Sequence, residues 1–293
     1  MKKLIKFILS CLGFKIRRPY PSLNNTICHL EIPLNANSKL PWKMVPQFRG
    51  KTPNLNFISC HVSILKKGQS PHLPHAHDEE EILLLLYGQI EVIIADDQNP
   101  AGLQRIRLNP GEFMYYPATY QHTLETVSDE PANYVMFKWY NRKKTKNPIL
   151  QKGHFRPFRE PLEIKDLSRL FTRLVLEGPS LYCKKLHIHE SILKPGVGYR
   201  PHADDHDVAM IILQGEVETI QQRAKPFDIL FFPAGKKHGM RNSGKQEVRY
   251  LVFEFHGSRL HFSTRKIRRL GSKMVHYKNW KRKYQKLFGN KSG

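Results

Sequence analysis

Apolar and polar residues alternate in short runs through most of this chain, and glycine, proline and asparagine separate the runs. Leu55, Phe57, Cys60, Val62 and Ile64 outline one strand, Ile82 to Leu86 a second and Glu91 to Ala95 a third. Asp96 to Gly102 reads as a hairpin loop and Arg105 to Leu108 as the returning strand. Pro110-Gly111 turns the chain into Glu112 to Tyr116, and Asn133 to Tyr140 closes the series. Many short strands with Gly/Pro turns predict a β sandwich or barrel. The run Ile82-Leu83-Leu84-Leu85-Leu86 is apolar on both faces, so its outer face needs a cover. That cover is the proline-rich arm 19–53, a second barrel, or another subunit of a homodimer. Residues 141–179 are rich in Lys, Arg and Pro and read as a linker with one helix near Leu162 to Leu170; the strand pattern restarts at Ser180.

The two ends follow a different pattern. In residues 2–18, Lys2, Lys3, Lys6, Ser10 and Gly13 share one helical face while Leu4, Ile5, Ile8 and Leu12 share another. This predicts a basic amphipathic helix lying in a membrane interface. A helix packed on the protein's own body and a secretory signal are the competing readings, and Lys6 interrupts the apolar core a signal needs. Near the other end, Asn279 to Gly289 reads as a basic helix stopped by glycine, with Trp280, Tyr284 and Leu287 as its apolar stripe.

Charge sharpens this division. The 293 residues carry a formal net charge of +23. Residues 1–30 hold six basic side chains and no acid, and residues 255–293 hold twelve and no acid, so the excess is concentrated in the tails. Such tails suit an anionic membrane surface, where each nearby cation adds about 1 kcal/mol. Phosphates are the other polyanionic partner, but no nucleic-acid recognition motif accompanies the charge, so that partner ranks lower. No run reaches the ~18 apolar residues of a membrane span. Cys11, Cys28, Cys60 and Cys183 form no CxxC pair or disulfide spacing, which points to a reducing compartment. The expected location is cytoplasmic, peripheral on the inner face of the membrane.

The body is an internal repeat. Ser63-Ile64-Leu65-Lys66 returns as Ser191-Ile192-Leu193-Lys194, and His75-Ala76-His77 returns as His202-Ala203-Asp204. Ile82 to Gly88 returns as Ala209 to Gly215. Tyr116-Pro117-Ala118-Thr119-Tyr120-Gln121-His122 returns as Phe232-Pro233-Ala234-Gly235-Lys236-Lys237-His238. The interval from His75 to Gly88 equals that from His202 to Gly215.

Three imidazoles and one carboxylate on one face suit a first-row divalent metal, and no thiolate narrows the choice. His75, His77 and Glu81 share strand parity, and His122 follows a Tyr-Pro turn. Glu79 and Glu80 are assigned to a solvated bend, although Glu80 replaces Glu81 if the turn is one residue shorter. Leu83, Leu85, Tyr87 and Tyr120 are expected to line the same lumen, with His61 either beside the site or on the surface. In the second half, His202, Asp204 and His238 form a candidate two-histidine, one-carboxylate triad, set against a degenerate domain that only packs on the first. His187 and His189 share parity and are placed near that cavity; His206 and Asp207 are assigned to a loop.

These motifs resemble the cupin superfamily. Gly68, His75, His77, Glu81 and Gly88 are similar to its first motif, and Gly111, Pro117 and His122 to its second, where Thr119 and Thr126 replace glycine and asparagine. In the second half Pro233, Gly235, His238 and Asn242 match, while Asp204 and Val208 replace histidine and glutamate. The resemblance implies an all-β chain of two tandem cupin barrels (double-stranded β-helix, or jelly roll) with basic helical tails. The expected division is 1–30, 31–140 with the metal site, 141–179, 180–258 with the altered site, and 259–293. It implies Fe(II) first, then Mn(II), Zn(II) or Ni(II). The His202-x-Asp204…His238 set also resembles 2-oxoglutarate oxygenases, for which Arg249 is the candidate co-substrate anchor. The expected function is a metal-dependent enzyme on a small anionic or sugar-like substrate, with an oxidoreductase or dioxygenase first. An isomerase or epimerase of carbohydrate metabolism is the alternative, and a non-catalytic ligand-binding or accessory protein at a membrane surface is the other.

Overall fold

The computed structural model describes residues 20–34, 40–96, 102–159, 170–220 and 222–257. The expected amphipathic segment 1–18, the C-terminal helix and most of the helix expected near 162–170 lie outside these residues. In chain order the strands are β1 (Thr26–Cys28), β2 (Trp42–Gly50), β3 (Phe57–Leu65), β4 (Glu80–Tyr87) and β5 (Ile90–Ala95). There follow β6 (Leu103–Leu108), β7 (Phe113–Tyr116), β8 (His122–Thr126), β9 (Ala132–Tyr140) and β10 (Gly153–Phe155). The second half, which β10 opens, continues with β11 (Phe171–Gly178), β12 (Lys185–Leu193), β13 (Gly198–Ala203), β14 (Asp207–Gln214) and β15 (Val217–Thr219). It ends with β16 (Arg223–Ala224), β17 (Ile229–Phe232), β18 (Lys237–Arg241) and β19 (Val248–His256). No helix among the described residues is long and apolar enough to cross a membrane.

The first barrel combines a six-stranded sheet, β10-β7-β4-β9-β3-β2, with the three-stranded β6-β5-β8. The second combines β1-β17-β14-β19-β12-β11 with β13-β18-β15-β16. Each large sheet therefore ends on a strand from the other half of the chain. Thr26, Ile27 and Cys28 pair with Phe231, Leu230 and Ile229, whereas Gly153, His154 and Phe155 pair with Tyr115, Met114 and Phe113. This corrects the reading of 141–179 as a linker. It contains β10 and β11, and the second barrel's sheet starts at Phe171, ahead of Ser180. β10 is too short to show periodicity, and β11 is an edge strand on which Leu174 is exposed along with Thr172 and Glu177, which masks its alternation.

The alternation of β4 places Leu83 and Leu85 inside the first barrel and Ile82, Leu84 and Leu86 on its outer face. The outer face is covered by the second barrel. Ile82 and Leu84 share one buried cluster with Ile188, Ala209, Ile211, Phe231, Leu251 and Phe253, to which the arm adds Cys28 and Leu30. Burial of this order, at about 25 cal/mol per Å², makes the interface between the barrels the main hydrophobic core.

A carboxylate from each barrel clasps the other half. Glu80 is fully buried. It accepts hydrogen bonds from Tyr115 Oη (2.7 Å), Trp139 Nε1 (3.0 Å), Ser180 Oγ (2.8 Å), and the Leu181 and Tyr182 amides (3.0 and 3.1 Å). Asp207, its counterpart, accepts from Thr52 Oγ1 at 2.5 Å and the Ala234 amide at 2.8 Å. Neither residue belongs to a solvated bend or loop, which corrects the expectation for both. Their partners lie 100 to 102 positions away in the case of Ser180, Leu181 and Tyr182 and 155 away for Thr52, so no local pattern signals the burial.

Candidate metal centre

β4 and β8 deliver the central residues. Glu81 is fully buried and points into the first barrel. Its two oxygens face two imidazoles, with His77 Nε2 2.9 Å from Oε1 and His122 Nε2 2.8 Å from Oε2. His122 is aimed by its outer nitrogen: Nδ1 donates to the Tyr120 carbonyl at 2.8 Å, which leaves Nε2 to face inward. Its ring stacks on buried Tyr116 at 4.4 Å between centroids. The bend that carries His77 is tied to β8 by reciprocal backbone hydrogen bonds between His75 and His122 (3.2 and 3.1 Å). It is tied to the turn before β8 by the Thr119 amide, which donates to the His77 carbonyl at 2.7 Å. Thr119 sits at φ 65°, where its counterpart Gly235 has φ 81°, so a β-branched residue here holds a conformation that favours glycine.

The tight group is His77, Glu81 and His122, whose donor atoms lie within 4.8 Å of one another. His75 is outside this group by its donor atoms, although its ring is as near to the other two imidazoles as they are to each other, at 5.3 Å. Its centroid is 5.3 Å from that of His77 and 5.4 Å from that of His122, and it packs edge-on against His72 at 3.9 Å. His75 Nδ1 is buried without a hydrogen-bond partner, the kind of orphaned ligand atom that an ion explains. Burial, reinforced by His72, His122 and His77, pushes the His75 imidazole down to about 4, so it is neutral near pH 7. Burial alone would raise the Glu81 carboxyl; hydrogen bonds from His122 and His77 and the Lys138 charge outweigh it and hold it well below the usual carboxylate range. A neutral His75 imidazole and an ionised Glu81 carboxylate, with His77 and His122 beside them, are the donor types that suit a divalent ion.

Sequence reasoning missed Lys138. Its ammonium contacts Glu81 Oε1 and lies 3.4 Å from His77 Nε2, so it stands as a cation inside the donor set. Lys138 and Glu81 are direct cross-strand partners on β9 and β4. A lysine on a strand reads as solvent-facing, and only the comparison of repeats, which sets Lys138 against Glu254, marks it as unusual. His61 is close enough for the charges of Lys138 and Glu81 to act on it; burial, aided by Lys138, pushes its imidazole down to about 4. A cavity of about 590 Å³ opens beside the group, lined by His77, Asp78, Glu79, Tyr140, Lys144 and Tyr182.

In the second barrel His202 Nε2 and His238 Nε2 lie 3.4 and 3.2 Å from Asp204 Oδ2. These three residues are brought together at one end of a cavity of about 310 Å³, with Val208 where Glu81 would be. Hydrogen bonds from His202 and His238 hold the Asp204 carboxyl well below its usual range. Arg249 is not in that cavity. Its Nε and Nη2 both reach Glu247 Oε1 at 2.6 Å. Along β19 it is Tyr250, Val252 and Glu254 that line the cavity, and Arg249 has the opposite parity. The expected anchor for 2-oxoglutarate is therefore absent from this position. His206 lies in the loop before β14, as expected, and from there its Nε2 meets Glu254 Oε2 at 3.3 Å.

No curated protein sequence matches the chain. Among solved structures it is similar to a glyoxylate-induced protein of Pseudomonas aeruginosa, with 13% identity over 76% of this chain and 84% of that one and a TM-score of 0.58. It is also similar to the oxalate decarboxylase of Bacillus subtilis, with 11% identity over 70% of each chain and a TM-score of 0.50. AerE of Microcystis aeruginosa matches at 15% identity over 72% of this chain and 97% of that one, also with a TM-score of 0.50. At such identities the likeness is one of fold. The cupin domain family matches twice, at residues 61–138 and 189–254.

Proposed function

Since the chain is a bicupin, we propose that it is a metal-dependent enzyme whose first barrel holds one divalent transition ion and acts on a small anionic substrate. The observation that carries this reading is the convergence of His77 and His122 Nε2 on the two oxygens of buried Glu81, with the unpartnered His75 Nδ1 beside them. His75, His77, Glu81 and His122 are the residues that would hold the ion, which supplies Lewis-acid or redox chemistry when bound. Fe(II) and Mn(II) suit this oxygen-and-imidazole set, and Zn(II) and Ni(II) are accommodated by the same donors.

The chain's own residues then have separable tasks. Tyr120 and Tyr116 fix the His122 ring, Glu81 supplies the charge, and Lys138 is the cation nearest to the centre. An ammonium released from Glu81 remains within reach of the mouth, where it recognises a substrate carboxylate or other anionic group. This supports an anionic rather than a neutral substrate, and oxidative chemistry is the first reaction class. A second reading, an isomerase or epimerase, is favoured by the same lysine: Lys138, Glu81 and His77 are in mutual contact and can pass a proton without a metal.

Protein purified without chelator, analysed by elemental mass spectrometry and reloaded with Fe, Mn, Zn or Ni in turn, tests the metal. Bound metal lost in His75→Ala, His77→Ala and His122→Ala chains is the expected result; a chain unable to bind any of the four sinks the reading. Water-proton relaxation of the Mn(II)-loaded protein distinguishes an open ion, as an enzyme needs, from a sequestered one, as a binding protein tolerates. Solvent-deuterium exchange into candidate sugars by metal-stripped protein supports the proton-transfer reading.

A further inference from the structure

The centre of the first barrel belongs to one cross-strand row. Arg49, Ser59, Lys138, Glu81 and Tyr116 are paired neighbours across β2, β3, β9, β4 and β7. The corresponding row of the second barrel is Glu177, His187, Glu254, Val208 and Phe232, across β11, β12, β19, β14 and β17. Charge is inverted at two positions, because Glu177 stands for Arg49 and Glu254 for Lys138. The carboxylate has moved one strand over, and Val208 occupies its former place. Where the first barrel has serine, the second has His187.

His189 lies two residues further along β12, on the same face as His187. Donor atoms of His187, His189 and Glu254 lie within 4.8 Å of one another, with His189 Nε2 3.8 Å from Glu254 Oε1. Each imidazole is held from outside. His187 Nδ1 meets Glu177 Oε2 at 2.5 Å, and His189 Nδ1 meets Ser191 Oγ at 2.9 Å. A carboxylate accepts only, so His187 Nδ1 carries the proton and Nε2 carries the lone pair. Carboxylate, histidine, then ligand is the arrangement that orients imidazoles toward metals. Glu254 and His189 also line the cavity of about 310 Å³.

His206 and His256 are a competing pair on the same carboxylate, at 3.3 and 2.8 Å from Glu254 Oε2. Their rings stack at 3.9 Å and 23°. Imidazole lone pairs lie in the ring plane, so two nearly parallel stacked rings cannot both point at one ion. The His187 and His189 rings are inclined by 58°, which allows it. His206 and His256 therefore serve as hydrogen-bond partners that hold Oε2 and leave Oε1 toward His189.

We infer that the second barrel carries its own metal site on His187, His189 and Glu254, one strand away from the position used in the first barrel. Two imidazoles and a carboxylate take a borderline divalent ion such as Zn(II) or Co(II). The site shares no donor with the His202, Asp204 and His238 group, which lines the same cavity, and it does not depend on the reading of the first barrel.

Co(II) is the probe, followed by its visible absorption and by elemental stoichiometry on the full chain. His77→Ala with His122→Ala silences the first barrel, and one Co(II) per chain is expected to remain. Adding His187→Ala and His189→Ala removes it. Glu254→Gln, which preserves shape and so keeps the question decidable if the alanine chain misfolds, weakens binding at least tenfold. His202→Ala with His238→Ala leaves it in place. Retention of Co(II) without His187 and His189, its loss only with His202 and His238, or no binding at all in the first-barrel variant overturns the inference. In the otherwise unaltered chain, failure of the first-barrel reading alone lowers the count by one ion that His187 and His189 do not control.

Discussion

Replacing Lys138 by methionine tests the first-barrel site most directly. The ammonium contacts Glu81 Oε1 and lies 3.4 Å from His77 Nε2, and its side chain is 26% exposed, so it has a path outward. A divalent ion that uses Glu81 and His77 must first break these contacts. Hydrogen bonds to charged groups contribute about 1.5–3 kcal/mol, and this sets the cost of displacement. Lys138→Met removes that cost and keeps the aliphatic stem that packs in the wall. At 1.4 kcal/mol per decade, the dissociation constant for Mn(II) or Zn(II) is expected to fall about ten- to a hundredfold. Lys138→Arg keeps the charge and is expected to stay within a few-fold of the parent. Competition against a chromophoric chelator at pH 7.5 measures all three. An affinity for Lys138→Met that is unchanged within about twofold, or weaker, refutes the argument that the lysine and the ion share one place.

Glu80→Ala strands five donors, including two backbone amides of the other barrel, and orphaned buried donors cost about 1–3 kcal/mol each before water refills the space. A loss of at least about 4 kcal/mol is expected in urea unfolding; a loss below about 1 kcal/mol would contradict the clasp. Burial holds His61 neutral down to about 4 against an ordinary 6.5, so the unfolded chain binds more protons between those values. Metal-free stability should therefore fall by about 3 kcal/mol as pH drops from about 6.5 to 4, and the slope should flatten in His61→Gln; an unchanged slope removes His61 as its source. For the basic tails, vesicles of anionic lipid should pellet the full chain but not one lacking 1–18 and 265–293. Equal pelleting rejects membrane targeting.

What was legible in the chain was whatever recurs or is local. The equal spacing of His75–Gly88 and His202–Gly215 announced two copies of one barrel, whereas His77 reaches Glu81 across the bend at 78–79 and not through the strand parity expected of it. The ladder register was not legible. Lys138 meets Glu81, and Glu254 meets His187, only because β9 and β19 pair where they do. Glu80 looked like one more acid in an acidic bend, since its partners at 180–182 arrive a hundred residues later. Arg249 was placed by counting from His238, and strand parity turned it to the other face.

The exchange of β1 and β10 has a historical reading. A single barrel of this kind, made alone, presents the open edge of its β7 or β17 strand and owns a leading strand that fits only the edge of a second copy. Two such molecules complete each other as a strand-swapped dimer. This chain has that layout in one polypeptide, as a gene duplication that joined the subunits of such a dimer would leave it. Halves joined covalently need not stay identical, and here the second carries Val208 and Glu254 where the first carries Glu81 and Lys138.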